Sequence, residues 1–136
     1  TPGEDLAIIE LDRAVTDRQP IELDLTSQLK VGTPLMMIGY PFGISQKVVE
    51  KGEVMLEDPE LKLSFKHNLD TFSVNSGGPI FNQLGKQVGV LVRSSSPNFE
   101  NEFGPGCMLW GKASATDYAE GNYLYSLEPI LKRLGI

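Results

Sequence analysis

Short apolar segments separated by polar turns occupy most of the chain. Residues 34–40 form a continuous apolar run that ends at Pro41, whereas residues 46–56 and 61–65 alternate between apolar and polar positions. Continuous short runs are typical of strands buried on both faces, and alternation is typical of strands buried on one face. The pattern therefore predicts three strands in this part of the chain.

A hairpin is predicted further along. Residues 79–82 and 87–92 are apolar and flank the polar stretch 83–86, in which Gly85 favours a tight turn. Beyond a long polar loop, residues 107–110 and 121–125 are predicted as two further short strands.

Only the C-terminal end has a helical pattern. Ser126 is predicted as the N-cap and Pro129 is tolerated in the first turn. The apolar side chains on one side of this helix are Ile130, Leu131 and Leu134. The sequence thus predicts an all-β fold with one terminal helix.

The N-terminal residues predict one more strand at 6–11, followed by a polar linker at 12–20. A strand that is reached this early, with no strand before it, is expected to belong to something larger.

Composition narrows the possible functions. The 136 residues include 14 glycines and 9 prolines, a density of chain breakers that suits short strands. A net charge of −6, without a basic run, argues against nucleic acid or anionic lipid as partners, and no apolar stretch is long enough to span a membrane. One cysteine, Cys107, and one histidine, His67, exclude a disulfide framework and a multi-cysteine or multi-histidine metal site within the chain, so we expect no metal and no cofactor.

The segment that points to chemistry is Asn75-Ser76-Gly77-Gly78-Pro79. A serine between an asparagine and two glycines predicts an exposed hydroxyl on a tight turn, whose backbone N–H groups can converge on a developing oxyanion. These residues are also the commonest ones in ordinary turns, so the motif alone leaves both interpretations open.

The motif resembles the nucleophile segment of the trypsin-like serine proteases, especially the bacterial ones. Four other segments are similar to segments of that family and follow in its order. They are the Asp-led segment 5–11, the Gly-Tyr-Pro-Phe-Gly segment 39–43, the strand along the substrate cleft at 89–92, and the closing helix at 125–136.

The resemblance implies two six-stranded antiparallel β-barrels with the catalytic residues at their interface. Residues 1–20 would be the last strand of the N-terminal barrel and the inter-barrel linker, and residues 21–136 the C-terminal barrel with its closing helix. It also implies a serine endopeptidase that acts on protein or peptide substrates, and a secreted or periplasmic location.

The family's catalytic roles map onto two residues of this chain. Ser76 would be the nucleophile and Asp5 the acid that orients a histidine base. Only four residues precede Asp5, so we expect the histidine on a separate N-terminal chain, released by nicking before Thr1. His67 lies nine residues before Ser76 and is expected to be structural or solvent-facing rather than the base.

The chain departs from the family at Val74, where glycine is usual. The backbone N–H groups of Val74 and Ser76 would form the oxyanion hole, but a β-branched residue is expected to resist a positive φ, which would turn the peptide away. The alternative function is therefore a catalytically inactive relative that acts as a binding or scaffold module.

The resemblance assigns substrate binding to Asp70, Thr71, Leu91 and Arg93. Asp70 would favour Lys or Arg substrates, unless it only caps a turn. Arg93 could pair with this carboxylate and cancel the preference.

Overall fold

The computed structural model describes residues 5–25, 28–57, 63–94, 99–100, 109–110 and 118–135. The predictions that concern Thr1, Cys107 and the long loop fall mainly outside these residues.

Six strands form a closed antiparallel barrel, which confirms the all-β prediction. The bounds of these strands are β1 Pro34–Gly39, β2 Lys47–Glu57, β3 Ser64–His67, β4 Pro79–Asn82, β5 Gln87–Arg93 and β8 Ala119–Tyr123. In barrel order, β1 pairs with β2, then follow β3, β8, β5 and β4, and β4 pairs again with β1. Two short strands between β5 and β8, namely β6 Phe99–Glu100 and β7 Leu109–Trp110, pair only with each other.

The predicted hairpin is confirmed. β4 and β5 pair with Ile80 opposite Gly89, and Gly85 has a φ of 74° in the turn between them. The Asn82 side chain closes this turn by accepting hydrogen bonds from the N–H groups of Leu84 and Lys86 at 2.9 and 3.1 Å.

The core lies inside the barrel and has aromatic residues at its centre. The Phe65 and Tyr123 rings, on neighbouring strands β3 and β8, lie 4.7 Å apart between centroids. The Tyr123 hydroxyl donates to the Leu29 carbonyl oxygen at 3.2 Å, and so attaches the segment before β1 to the barrel. Burial raises the pKa of Tyr123 to about 12.

The helical end of the chain begins differently from the prediction. A 3₁₀ turn, Leu124–Leu127, leads into the helix α1, Glu128–Leu134, in which Pro129 lies in the first turn as expected. The prediction that Ser126 is the N-cap is wrong, because its hydroxyl donates back to the Tyr123 carbonyl oxygen at 3.1 Å and the cap residue is Leu127.

Residues 6–11, predicted as a strand, belong to no strand of the described chain. Ile9 and Leu11 in this segment are 79% and 61% exposed. A strand forms only where a partner offers backbone hydrogen bonds, and the barrel is already closed without this segment. Its assignment to a first barrel stays a prediction.

Candidate active site

The segment around Ser76 consists of two consecutive tight turns that share Asn75. In the first turn the Asn75 N–H donates to the Phe72 carbonyl oxygen at 3.2 Å, and in the second the Gly78 N–H donates to the Asn75 carbonyl oxygen at 2.9 Å. The third residue of each turn has a positive φ, 75° at Val74 and 84° at Gly77, as type II turns require. This geometry leaves Ser76 exposed and Asn75 buried.

Backbone contacts hold the second turn against the barrel wall. The Gly77 N–H donates to the Leu91 carbonyl oxygen at 2.8 Å, and the Leu91 N–H donates to the Gly78 carbonyl oxygen at 2.9 Å. A Cβ atom at Gly78 would lie 2.9 Å from the Asn75 carbonyl oxygen, so a side chain there would displace the turn. The serine hydroxyl is thus carried by a backbone that is fixed to β5.

Val74 contradicts one prediction. Its φ of 75° shows that the valine adopts the left-handed conformation, so the expectation that a β-branched residue avoids a positive φ here is wrong. The hydrogen bonds on either side enforce this conformation, because the turn from Phe72 to Asn75 requires it at the third position. Among the described residues, the N–H groups of Val74 and Ser76 donate no hydrogen bond to another described residue.

Ser76 and Asp5 line one cavity of 620 Å³, which we call the cleft cavity. Its wall also includes Gly77, Leu91 and the neighbouring residues of β5. Both Asp5 and Ser76 are exposed. The structure therefore brings together a hydroxyl, a carboxylate and a strand, although the two residues are 71 positions apart in the sequence.

His67 does not belong to this cavity. It is fully buried on β3, opposite Val54 of β2 and Ala119 of β8, and its Nδ1 accepts a hydrogen bond from the Leu69 N–H at 3.3 Å. Burial lowers the pKa of His67 to about 4, so the ring is neutral at pH 7. His67 is thus a core residue and not a base for Ser76, in agreement with the expectation of a structural role.

The residues predicted to bind substrate lie in different places. Leu91 lines the cleft cavity, although 1% of its surface is exposed. Asp70 is exposed at a separate cavity of 420 Å³, the side cavity, together with Asn75, Pro41 and apolar residues of β1 and β2. Thr71 is fully buried.

Arg93 pairs with the carboxylate of Glu120 and not with that of Asp70. Its Nη1 atom lies 3.7 Å from the Glu120 carboxylate, and three quarters of the Arg93 side chain is exposed. The idea that Arg93 occupies the Asp70 carboxylate is therefore wrong for this structure. Because the Arg93 side chain is largely exposed, this pair contributes little to stability.

A third cavity borders Ser76 and involves residues that sequence reasoning did not assign to the site. This turn cavity of 290 Å³ is lined by Ser76, Gly77, Val74, Tyr40, Ile38 and Pro79, among others. Tyr40 belongs to the Gly-Tyr-Pro-Phe-Gly segment, which carries part of the family resemblance. That resemblance is the sequence feature that could have pointed to Tyr40 as a site residue.

Within the described residues, no group of three His, Cys, Asp or Glu side chains is placed to hold a metal ion. The helices described include none that is long and apolar enough to cross a membrane.

The sequence is similar to those of bacterial serine proteases. Proteins described as "Serine protease HtrA-like" from Staphylococcus haemolyticus (strain JCSC1435) and Staphylococcus aureus (strain USA300) are 28% identical to this chain over alignments of 111 and 112 positions. Each alignment covers 71% of this chain. The chain covers only 17% and 15% of those proteins.

Two crystal structures of the inactive form of the protease Rv3671c, one of them a serine-to-alanine mutant from M. tuberculosis H37Rv, share the fold. Each has a TM-score of 0.57 at 14% identity over 88% of this chain, and the match covers 55% and 57% of theirs.

The family model described as "Trypsin-like peptidase domain" matches residues 1–90, a stretch that includes Asp5, both tight turns and Ser76. With two thirds of the chain matched and the same barrel in the solved relatives, the chain belongs to the trypsin-like peptidase family.

Proposed function

We propose that this chain forms the part of a serine endopeptidase that provides the nucleophile, Ser76, and the histidine-orienting carboxylate, Asp5. The observation that supports this most directly is that both residues line the cleft cavity, along β5. A serine hydroxyl is a weak nucleophile at neutral pH unless a base removes its proton, and a carboxylate next to it serves to orient that base.

The base in this proposal is a histidine outside these 136 residues. His67, the histidine of this chain, is buried in the barrel core and bonded through Nδ1 to the Leu69 N–H. The cleft cavity is open, and the exposed apolar side chains of Ile9 and Leu11 lie on the same N-terminal segment as Asp5. A polypeptide that covers this segment, such as the expected N-terminal chain, would place its imidazole between Asp5 and Ser76.

The reaction then proceeds by acyl transfer. The Ser76 Oγ attacks the carbonyl carbon of the scissile peptide bond while the imidazole takes the hydroxyl proton. The C–N bond breaks, the same proton passes to the leaving amine, and the acyl group remains on Ser76 until a water molecule hydrolyses the ester.

Val74 and Ser76 are proposed to stabilise the charge that develops in this reaction. Their N–H groups flank the Asn75 N–H, which is occupied by its bond to Phe72. Donors that are free of other described partners and fixed by turns are suited to an oxyanion, and removal of one donor typically lowers kcat by about 10²–10³-fold.

The side cavity supports a proposal for substrate selection. A carboxylate at Asp70 would favour a Lys or Arg side chain, but Lys47 lines the same cavity and would compete for that carboxylate. Peptides that differ only in Lys, Arg, Leu or Glu before the cleaved bond would test the preference, and Asp70→Asn should abolish any advantage of the basic residues.

A secreted or periplasmic location completes the proposal. It follows from the family resemblance and from the bacterial HtrA-like relatives.

The second candidate is an inactive member of the family that binds its partners without cleaving them. Valine in place of the usual glycine at position 74 raises this candidate, although Val74 does adopt the positive φ that the turn requires.

A fluorophosphonate probe applied to the full-length protein separates the two functions. Covalent labelling that disappears in Ser76→Ala, and that persists in the neighbouring Ser73→Ala control, supports the peptidase. Absence of labelling in the intact, folded protein would support the binding module instead.

A further inference from the structure

We infer that Val74 and Tyr40 form a specificity site that accepts an apolar substrate side chain next to the scissile bond. The inference rests on the proposed function, because it concerns a substrate held at Ser76. It begins from Val74, which combines an unfavourable backbone with an exposed side chain.

The conformation of Val74 has a cost that packing does not offset. A non-glycine residue at a positive φ typically loses about 1–3 kcal/mol, and a β-branched residue is among the least suited to it. With 70% of its surface exposed, Val74 gains little from burial. Glycine would be the less costly choice for folding, so the isopropyl group is better explained by something outside the barrel.

The side chain faces a site that lacks charge. Val74 lines the turn cavity with Tyr40, Ile38 and Pro79, and none of the residues that line it is charged at neutral pH. Tyr40 is 56% exposed, so two large apolar side chains are accessible at one small cavity beside the nucleophile. A cavity of 290 Å³ with such walls suits an aliphatic or aromatic side chain and disfavours a charged one.

The two residues are held in a fixed relation to each other. The Phe42 N–H donates to the Ser73 carbonyl oxygen at 3.1 Å, which joins the segment after Tyr40 to the turn that contains Val74. The Tyr40 hydroxyl accepts a hydrogen bond from the Gln46 side-chain amide at 3.2 Å, which orients the ring. A pre-formed site of this kind orders few side chains on binding.

The turn cavity and the cleft cavity adjoin at Ser76 and Gly77. Ser76 and Gly77 line both, so a peptide that lies along β5 and reaches Ser76 extends past it into the turn cavity. The occupant is therefore the substrate residue that adjoins the scissile bond on the side away from β5.

The test is cleavage-site profiling of a peptide mixture by the full-length protein, with the cleaved bonds identified by mass spectrometry. We expect Leu, Ile, Val or Phe to be enriched at the position directly after the cleaved bond, and not at the position before it. Val74→Thr, which keeps the β-branched shape and adds a hydroxyl, and Tyr40→Ala should each lower this enrichment about tenfold.

The controls distinguish selection from general damage. Tyr40→Phe keeps the ring and should keep the enrichment, and the preference on the other side of the bond should be the same in all variants. Equal cleavage of peptides with Asp or Leu at this position, or unchanged enrichment in Tyr40→Ala, would overturn the inference.

A binding measurement covers the case in which the protein cleaves nothing. N-acetyl hexa-alanine amides that contain a single Leu or a single Asp are titrated into the Ser76→Ala protein, and the methyl NMR signals of Val74 are followed. If only the Leu peptide gives saturable shifts, and these shifts weaken in Tyr40→Ala, the specificity site is supported although the peptidase function has failed. Shifts with neither peptide or with both would exclude it.

Discussion

Protonation of His67 should destabilise the barrel in mild acid. The imidazole is fully buried, its cross-strand neighbours are Val54 and Ala119, and burial lowers its pKa from 6.5 to about 4. In the unfolded chain the same ring has its ordinary pKa near 6.5. Between pH 6.5 and about 4, therefore, the unfolded state binds a proton that the folded state does not.

The sign and size of the effect follow from this difference. Because the unfolded state binds more protons, the free energy of unfolding falls as the pH is lowered, by about 1.4 kcal/mol per pH unit. The contribution is fully present above pH 6.5 and decreases by about 3 kcal/mol by pH 4. That is a large fraction of the stability of a typical domain.

The measurement is urea unfolding of the wild type and of His67→Asn at a series of pH values, followed by far-UV circular dichroism. Asparagine supplies a neutral acceptor for the Leu69 N–H, which now donates to Nδ1 of His67. The chain also contains 18 acidic residues that titrate in acid, and subtracting the two curves removes their contribution. We expect the wild type to lose about 3 kcal/mol more than the variant between pH 7 and 4.

Two results would refute this reasoning. Parallel stability curves for the two proteins would show that His67 has the same pKa in both states. An NMR titration of the His67 ring in the folded protein with a midpoint near 6.5 would show the same thing directly.

Three further changes test other parts of the structure. Gly78→Ala would place a Cβ atom 2.9 Å from the Asn75 carbonyl oxygen. The variant should therefore be less stable by about 1–3 kcal/mol in urea unfolding and should react less with the fluorophosphonate probe at Ser76. Unchanged labelling would contradict the close approach. Tyr123→Phe removes the hydrogen bond to the Leu29 carbonyl oxygen and should cost about 1 kcal/mol in the same assay, whereas an equally stable variant would show that this bond is dispensable. Asp5→Asn in the full-length protein should lower kcat by about 10⁴-fold with KM little changed, and activity within tenfold of the wild type would remove Asp5 from the proposed mechanism.

Local pattern was enough to predict the six barrel strands but not the closure of the barrel. The hairpin of β4 and β5 follows from its turn residues, because the two strands are adjacent in sequence. The pairing of β3 with β8 closes the barrel across more than fifty residues, including a long polar loop, and no local signal specifies it. Closure was predicted only through the family resemblance.

His67 shows how a strand boundary changes the interpretation of a residue. The sequence pattern ends the predicted strand 61–65 at residue 65, before His67, and therefore does not specify whether His67 is buried or faces solvent. The observed strand β3 extends to His67, and alternation then places His67 on the same buried face as Phe65, with Lys66 exposed between them. Boundaries of short strands depend on the partner strands, here β2 and β8, which the sequence pattern does not identify.

The error at Val74 has a different physical origin. Propensity predicts what a residue prefers, but the conformation of Val74 is determined by the hydrogen bonds around it: Asn75 to Phe72 within the turn, and Phe42 to Ser73 from the neighbouring segment. Together these bonds outweigh a local preference of about 1–3 kcal/mol. Unfavourable residues persist at such positions when the surrounding structure enforces them, and they are found most often at functional sites. A strained, exposed valine two residues before Ser76 is therefore consistent with a role toward substrate, and a loss of the apolar preference in Val74→Thr would support that role.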